Sequence, residues 1–153
     1  MTERSAAHAT FVIERQLAAT PARAFAAWAD PTLKEAWFTG AKTHSPDYAL
    51  DFRVGGHEVT RGGPPGGAVY AYAAVYQDIV ADQRIVYAYA MDMDGQRISA
   101  SVTTVEFQAV DGGTRLVLTE QGVYLDGLDQ PDVRERGIAF QLDALGAALA
   151  ESD

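Results

Sequence analysis

Residues 79–93 read Ile-Val-Ala-Asp-Gln-Arg-Ile-Val-Tyr-Ala-Tyr-Ala-Met-Asp-Met, and this stretch decides the fold. Ala81-Asp82 is a turn signal between two runs rich in β-branched and aromatic residues, so the segment predicts a hairpin joining strands Ala68–Val80 and Gln83–Met93. Alternation within the second strand puts Ile85, Tyr87, Tyr89 and Met91 on one face. Toward the C-terminus the pattern repeats. Asp94-Gly95 turns into a strand over Ile98–Val110, and Asp111-Gly112-Gly113 turns into another over Thr114–Gln121. Toward the N-terminus, strands are predicted over Leu50–Val54 and His57–Arg61, separated by Gly55-Gly56. The Gly-Gly-Pro-Pro-Gly-Gly run at 62–67 is read as a hairpin turn and not as a linker.

The ends of this meander are of a different kind. Ala9–Leu17 alternates as a strand, after which Thr20-Pro21 supplies an N-cap and a proline at the first helical position. That helix stops at Asp30-Pro31, and a second restarts through Leu33–Phe38. After Asp129-Gln130-Pro131 a long helix runs to about Ala150. At ~100° per residue its Ile138, Leu142, Leu145 and Leu149 form a narrow stripe that calls for burial. Val133, Gly137, Phe140 and Ala144 fall on the opposite side, where solvent exposure and a functional contact are both open readings.

A strand, two short helices, a long antiparallel meander and one long helix make an α+β chain whose curved sheet, of about six or seven strands, must wrap the last helix. Such an arrangement leaves a largely apolar hollow between helix and sheet, the default place for a ligand. One domain over residues 1–153, with a core over about 9–150, is expected from the 153-residue length and the absence of a Pro/Ser-rich linker.

Composition excludes several functions. With 48% hydrophobic and 22% charged residues the chain has the makeup of a folded domain, and disordered and fibrous classes are ruled out. Its net charge of −9 repels a nucleic-acid backbone or an anionic membrane, so neither is expected as a partner. Having no cysteine, it can build neither a disulfide, a thiol nucleophile nor a zinc–thiolate site. The opening MTERSAAHAT lacks a basic start followed by an apolar run, and no stretch is long and apolar enough to span a membrane, so a cytoplasmic location is expected.

Several short motifs occur in one order along almost the whole chain. They are Arg15-Gln16-Leu17 with Pro21, Phe25 and Trp28, then Asp30-Pro31 with Trp37, and Asp51-Phe52-Arg53-Val54-Gly55-Gly56. Ile79–Tyr87 follows, then Val105-Glu106-Phe107, Gly113-Thr114-Arg115-Leu116, and Gly137 with Leu142, Asp143 and Leu145. In these the chain resembles the helix-grip (SRPBCC, START-like) superfamily, which includes START lipid-transfer domains, the birch-pollen allergen group and polyketide cyclases. Within it, the chain is most similar to the branch named for homology to the activator of Hsp90 ATPase (AHSA1-like). The resemblance implies a helix-grip fold. Two positions depart from the family pattern: Ala81 stands where proline is frequent, and Ile138 where tryptophan often follows Gly137. The smaller Ile138 leaves two outcomes open, a larger pocket or a repacked contact. The eukaryotic activator owes much of its chaperone contact to an additional N-terminal domain, so the resemblance does not carry that activity across.

No spelling of a nucleophile elbow, a P-loop, a zincin helix or a dinucleotide fold is present, so no cofactor is expected. His57-Glu58-Val59-Thr60-Arg61 has arginine where a zincin needs its second histidine, and it reads as strand. With His8 and His44 scattered elsewhere, no metal site is expected. Val105 and Phe107, and Leu116, Leu118 and Glu120, are further inward rows. Glu120 stands out there, either as the polar anchor or general acid/base of the hollow or as a solvated strand end.

The expected cavity wall is therefore Trp28, Trp37, Phe38, Ala73, Val75, Tyr87, Tyr89, Met91, Val105, Phe107, Leu118, Glu120, Ile138 and Leu142. Ala73 and Val75 enter it by continuing the register back from Ile79, which places Tyr70, Tyr72 and Tyr76 on the outer face as an interface stripe. The opposite facing, with these tyrosines narrowing the pocket, is the competing reading. Three functions follow: a module binding a small hydrophobic or aromatic molecule, a co-chaperone-like or other protein-interaction module, and a cyclase- or hydrolase-type enzyme using Glu120. The sequence favours binding over catalysis. A homodimer through an edge strand or the tyrosine stripe is a further expectation.

Overall fold

A computed structural model describes residues 3–41 and 43–151; Met1, Thr2, Lys42, Ser152 and Asp153 of the expected 1–153 span lie outside the described residues. The elements are β1 (Ala6–Leu17), α1 (Pro21–Ala29), α2 (Pro31–Phe38), β2 (Ala49–Leu50), β3 (His57–Gly62), β4 (Tyr70–Val80), β5 (Arg84–Met93), β6 (Gln96–Val110), β7 (Gly113–Leu125) and α3 (Pro131–Glu151). The seven strands form one antiparallel sheet in the order β1-β7-β6-β5-β4-β3-β2. This is the α+β helix-grip arrangement. A meander stacks each strand on the one before it, and only β1 crosses over, to pair with β7.

Local chemistry explains the helix starts. Thr20 caps α1 by accepting from the Arg23 amide at 3.3 Å, and Pro21 fills the first turn, where no amide donor is needed. Asp30 ends α1 and begins α2, its Oδ1 accepting from the amides of Thr32 at 2.9 Å and Leu33 at 3.1 Å. One residue thus turns the chain between two helices. At the β6–β7 turn, a Cβ on Gly113 would lie 2.0 Å from the Leu17 carbonyl oxygen, so only glycine lets the end of β1 approach there.

The core lies between the concave face and the helices. Leu142, Leu145 and Leu149 of α3 are buried against Phe11, Ile13, Leu116, Leu118, Val105 and Phe107, while Ile138 is partly covered. On the other side of α3, Phe140 is 76% and Val133 49% exposed, while Ala144 packs against the core.

Two expectations are corrected. Leu50–Val54 is not a strand, because pairing ends at Leu50 and the next residues turn through Arg53 and Gly55. More consequentially, Tyr72 and Tyr76 face inward and are buried, with Ala74 between them, whereas Ala73 and Val75 face out. The cause is a β-bulge. Tyr76 pairs with Tyr87 and Asp78 with Val86, leaving Gln77 unpaired, so the face reverses between Tyr76 and Ile79. A register carried back from Ile79 across that extra residue comes out one step wrong. Tyr72 and Tyr76 therefore form no surface interface, and Tyr70 alone of the three is partly exposed.

Candidate functional site

Between the concave face and the N-terminal half of α3 lies a cavity of about 320 Å³. Its wall comes from α1 and α2 (Trp28, Trp37, Phe38), β4 and β5 (Tyr70, Tyr72, Tyr87, Tyr89, Met91), β7 (Leu118, Glu120) and α3 (Arg134, Ile138, Leu142). The β3 end with Thr60, Arg61 and Gly62 closes one side. Period-2 alternation puts the strand residues on this face, and the helical i, i+4 spacing aligns Arg134, Ile138 and Leu142 above it.

The residues expected at the wall divide accordingly. Trp28, Trp37, Phe38, Tyr87, Tyr89, Met91, Leu118, Glu120, Ile138 and Leu142 border the cavity. Val105 and Phe107 are buried in the core outside it, and Ala73 and Val75 are on the far side of the sheet, bordering a shallow apolar depression there. The rings pack edge to face around the hollow, Trp28 on Trp37 at 4.8 Å and Phe38 on Tyr72 at 5.2 Å between centroids. The Trp37 indole donates to the Ala27 carbonyl at 2.9 Å, while the Trp28 Nε1 is buried without an acceptor among the described residues.

Glu120 is fully buried. Its Oε1 accepts from the Thr103 hydroxyl and its Oε2 from the Tyr89 hydroxyl, both at 2.8 Å. Burial pushes its pKa up, and the two hydroxyls and the more distant Arg134 only partly offset that. Arg134 does not touch the carboxylate. Its Nη1 donates to the Tyr89 oxygen at 2.9 Å, and its Nη2 to Ser99 Oγ at 3.0 Å and to Asp129. Tyr89 is thus a relay, receiving from the guanidinium and donating to the carboxylate. Tyr124, against whose ring the guanidinium lies at 5.5 Å, has its pKa pushed up to about 12, chiefly by burial.

A second buried cluster adjoins the aromatic wall and was not anticipated. Lys34 on α2 reaches both oxygens of Glu58 on β3, at 3.0 and 2.9 Å, and Glu58 also accepts from the hydroxyls of Tyr48 at 2.8 Å and Tyr76 at 3.1 Å. The ammonium sits 4.3 Å from the Phe38 ring centre and 5.0 Å from that of Trp28. Burial lowers the Lys34 pKa, with Glu58 opposing. Signals for these residues existed. Lys34 stands at i, i+3 and i+4 with Trp37 and Phe38, Glu58 alternates with the outward His57 and Val59, and Arg134 continues the Ile138–Leu142 stripe back one turn. Each is a charged residue on an inward row.

His8, His44 and His57 do not converge, and among the described residues no group of three or more His, Asp or Glu could hold a metal ion. His44 Nδ1 instead lies 2.8 Å from Glu35 in the loop after α2. No helix among the described residues is long and apolar enough to cross a membrane.

A curved sheet closed over a C-terminal helix, with a hollow between them, defines the helix-grip class. Residues 18–150 match the family described as Activator of Hsp90 ATPase homolog 1-like protein, and the chain belongs to that family. Among solved structures it is similar to an uncharacterized protein from Rhizobium leguminosarum, at 47% identity over 99% of this chain and 100% of the other, with a TM-score of 0.93. It is also similar to the Mll3558 protein from Rhizobium loti, at 44% identity over 95% and 99% of the two chains, with a TM-score of 0.89. The CV1439 protein from Chromobacterium violaceum shares the fold at 23% identity over 94% and 98%, with a TM-score of 0.74. No match was found among curated proteins.

Proposed function

We propose that the chain is a binding module for a small, largely apolar or aromatic molecule held between the sheet and α3. The observation that carries this reading is the 320 Å³ hollow, ringed by aromatic side chains and containing one buried carboxylate, Glu120. Ligand pockets run from ~300 to 1,000 Å³, so this one, at the lower end, suits a molecule of one or two rings better than a sterol or a long acyl chain. Few convergent polar groups in an apolar wall orient a ligand and select it, and Glu120, Tyr87 and Tyr89 are placed for that.

A thermal-shift panel of one- and two-ring aromatic compounds tests it. A ligand at ~100 times its dissociation constant adds ~2.7 kcal/mol, which raises the midpoint by several degrees in a domain of this size. Ile138→Trp, which puts a larger ring on the cavity wall, should abolish the shift. No shift with any compound, from a protein that melts cooperatively, overturns the reading. A protein-interaction module is the second reading, favoured by the exposed Phe140 beside the cavity mouth; partner capture lost in Phe140→Ser would support it. Turnover of any bound compound that is lost in Glu120→Gln would move the assignment to an enzyme.

A further inference from the structure

Glu120 lacks what the other carboxylate cluster beside this cavity has. Glu58 faces the Lys34 ammonium at 2.9 Å, whereas no ion pair involving Glu120 exists among the described residues, and its oxygens meet hydroxyls only. The nearest guanidinium, that of Arg134, is turned to Tyr89, Ser99 and Asp129. Of the three charged side chains that border the cavity, Glu120 is fully buried, Arg134 is held by Tyr89, Ser99 and Asp129, and Arg61 is exposed at the β3 end. A carboxylate oxygen accepts two hydrogen bonds, and each oxygen of Glu120 has one from a described residue. A buried charge without a counter-ion is costly, and a cation brought to it recovers that cost.

The aromatic part of the wall is suited to such a cation. Tyr87 and Tyr89 flank the carboxylate on the same face, and Trp28, Trp37, Phe38 and Tyr72 complete the ring of aromatic faces. Three of these rings already stand within 5.5 Å of an ammonium, that of Lys34, and the Tyr89 ring lies 5.6 Å from the guanidinium carbon of Arg134.

We propose that the cavity selects a protonated amine on a small aromatic or alicyclic body, the ammonium donating to Glu120 and the hydrocarbon lying against the aromatic wall. The proposal rests on the ligand-binding reading above and names the chemistry of that same site. A carboxylic acid of equal size is rejected, because it places a second negative charge beside Glu120. A neutral alcohol loses the charge-assisted bond, which corresponds to about tenfold to hundredfold in affinity.

Three probes on one skeleton separate the possibilities: 2-phenylethylamine, 2-phenylethanol and phenylacetate, titrated calorimetrically into the full chain at pH 7. The expected order is amine tighter than alcohol by at least tenfold, with phenylacetate weakest. Glu120→Gln should remove the amine's advantage. Alcohol binding as tightly as amine to the wild type overturns the amine inference and leaves the cavity reading standing. Failure of all three probes, while other aromatic compounds in the thermal-shift panel bind, overturns the inference alone; failure of every compound overturns both. Because the chain carries −9, surface attraction of the amine must be told apart. Amine binding that persists in Ile138→Trp, or that vanishes at 0.5 M NaCl, is surface binding and overturns the proposal. The salt arm serves if Ile138→Trp fails to fold.

Discussion

Two buried carboxylate clusters beside the cavity, those of Glu58 and Glu120, use the same parts and end differently. Around Glu58 the set is complete: a lysine ammonium, two close tyrosine hydroxyls and a cover of aromatic rings enclose a buried carboxylate. Around Glu120 the hydroxyls are present, but the cation is one residue removed, behind Tyr89, and the carboxylate borders a cavity. The first ties α2 to β3 and holds the aromatic wall in place. The second stands at the wall of the hollow with hydroxyl partners and no ion pair among the described residues. In the proposed reading, closure makes the first cluster structural and incompleteness leaves the second open to a ligand.

Breaking the closed cluster should have the largest effect. Lys34→Met leaves Glu58 buried without a counter-ion, for which ~3–5 kcal/mol of destabilisation is expected, seen as a lowering of the melting midpoint by roughly 6–20 °C. Adding Glu58→Gln should recover part of that loss in a double-mutant cycle. A loss below ~1 kcal/mol for Lys34→Met would mean that Glu58 does not depend on the lysine, and the contrast between the clusters would fail.

Single hydroxyls come next. Tyr48→Phe at Glu58 and Tyr89→Phe at Glu120 each remove a 2.8 Å bond to a buried carboxylate and should cost ~1–3 kcal/mol in urea denaturation. Tyr89→Phe also severs the link from Arg134, so it alone should change probe affinity in the cavity.

Glu120→Gln sharpens the comparison through pH. The folded-state pKa of Glu120 is raised by burial, so between the unfolded value of ~4.3 and that raised value the folded chain holds a proton that the unfolded chain has released. Its contribution to stability is therefore fully present below ~4.3 and is lost as pH rises through the folded pKa, at up to ~1.4 kcal/mol per pH unit. Relative to wild type, the glutamine variant should gain stability at pH 7 and lose that advantage toward pH 4. Parallel stability curves for the two proteins would show that Glu120 does not titrate differently on folding. The smallest effect is expected for Tyr72→Phe, a few tenths of a kcal/mol, because its hydroxyl stands 3.5 Å from Glu58, at the limit of a hydrogen bond.

The strand rows Ile85–Met91, Val105–Phe107 and Leu116–Glu120 were legible because period-2 alternation survives wherever strand pairing is regular. So was the α3 stripe, and with it Ile138 and Leu142 at the cavity. The facing of β4 was not legible, because one bulged residue at Gln77 reverses it and nothing in Tyr-Gln-Asp-Ile announces a bulge. Lys34, Glu58 and Arg134 were passed over for a related reason. A charged residue on an inward stripe reads as an interruption until its partner is known, and Lys34 finds Glu58 at a separation of 24 residues while Arg134 finds Tyr89 at 45.

By itself the sequence determined the α+β class, the order of the elements, the helix cap at Thr20, the helix stop at Asp30-Pro31, and the inward position of Glu120. These depend on spacings of two to four residues and on turn chemistry, which are properties of adjacent side chains. Only the tertiary structure decided which carboxylate is neutralised, which tyrosines are buried and where a hollow remains. Those outcomes depend on β3, β4 and β7 and the helices α2 and α3 meeting across the sheet, where a shift of one residue or a few ångströms exchanges a filled contact for an open one.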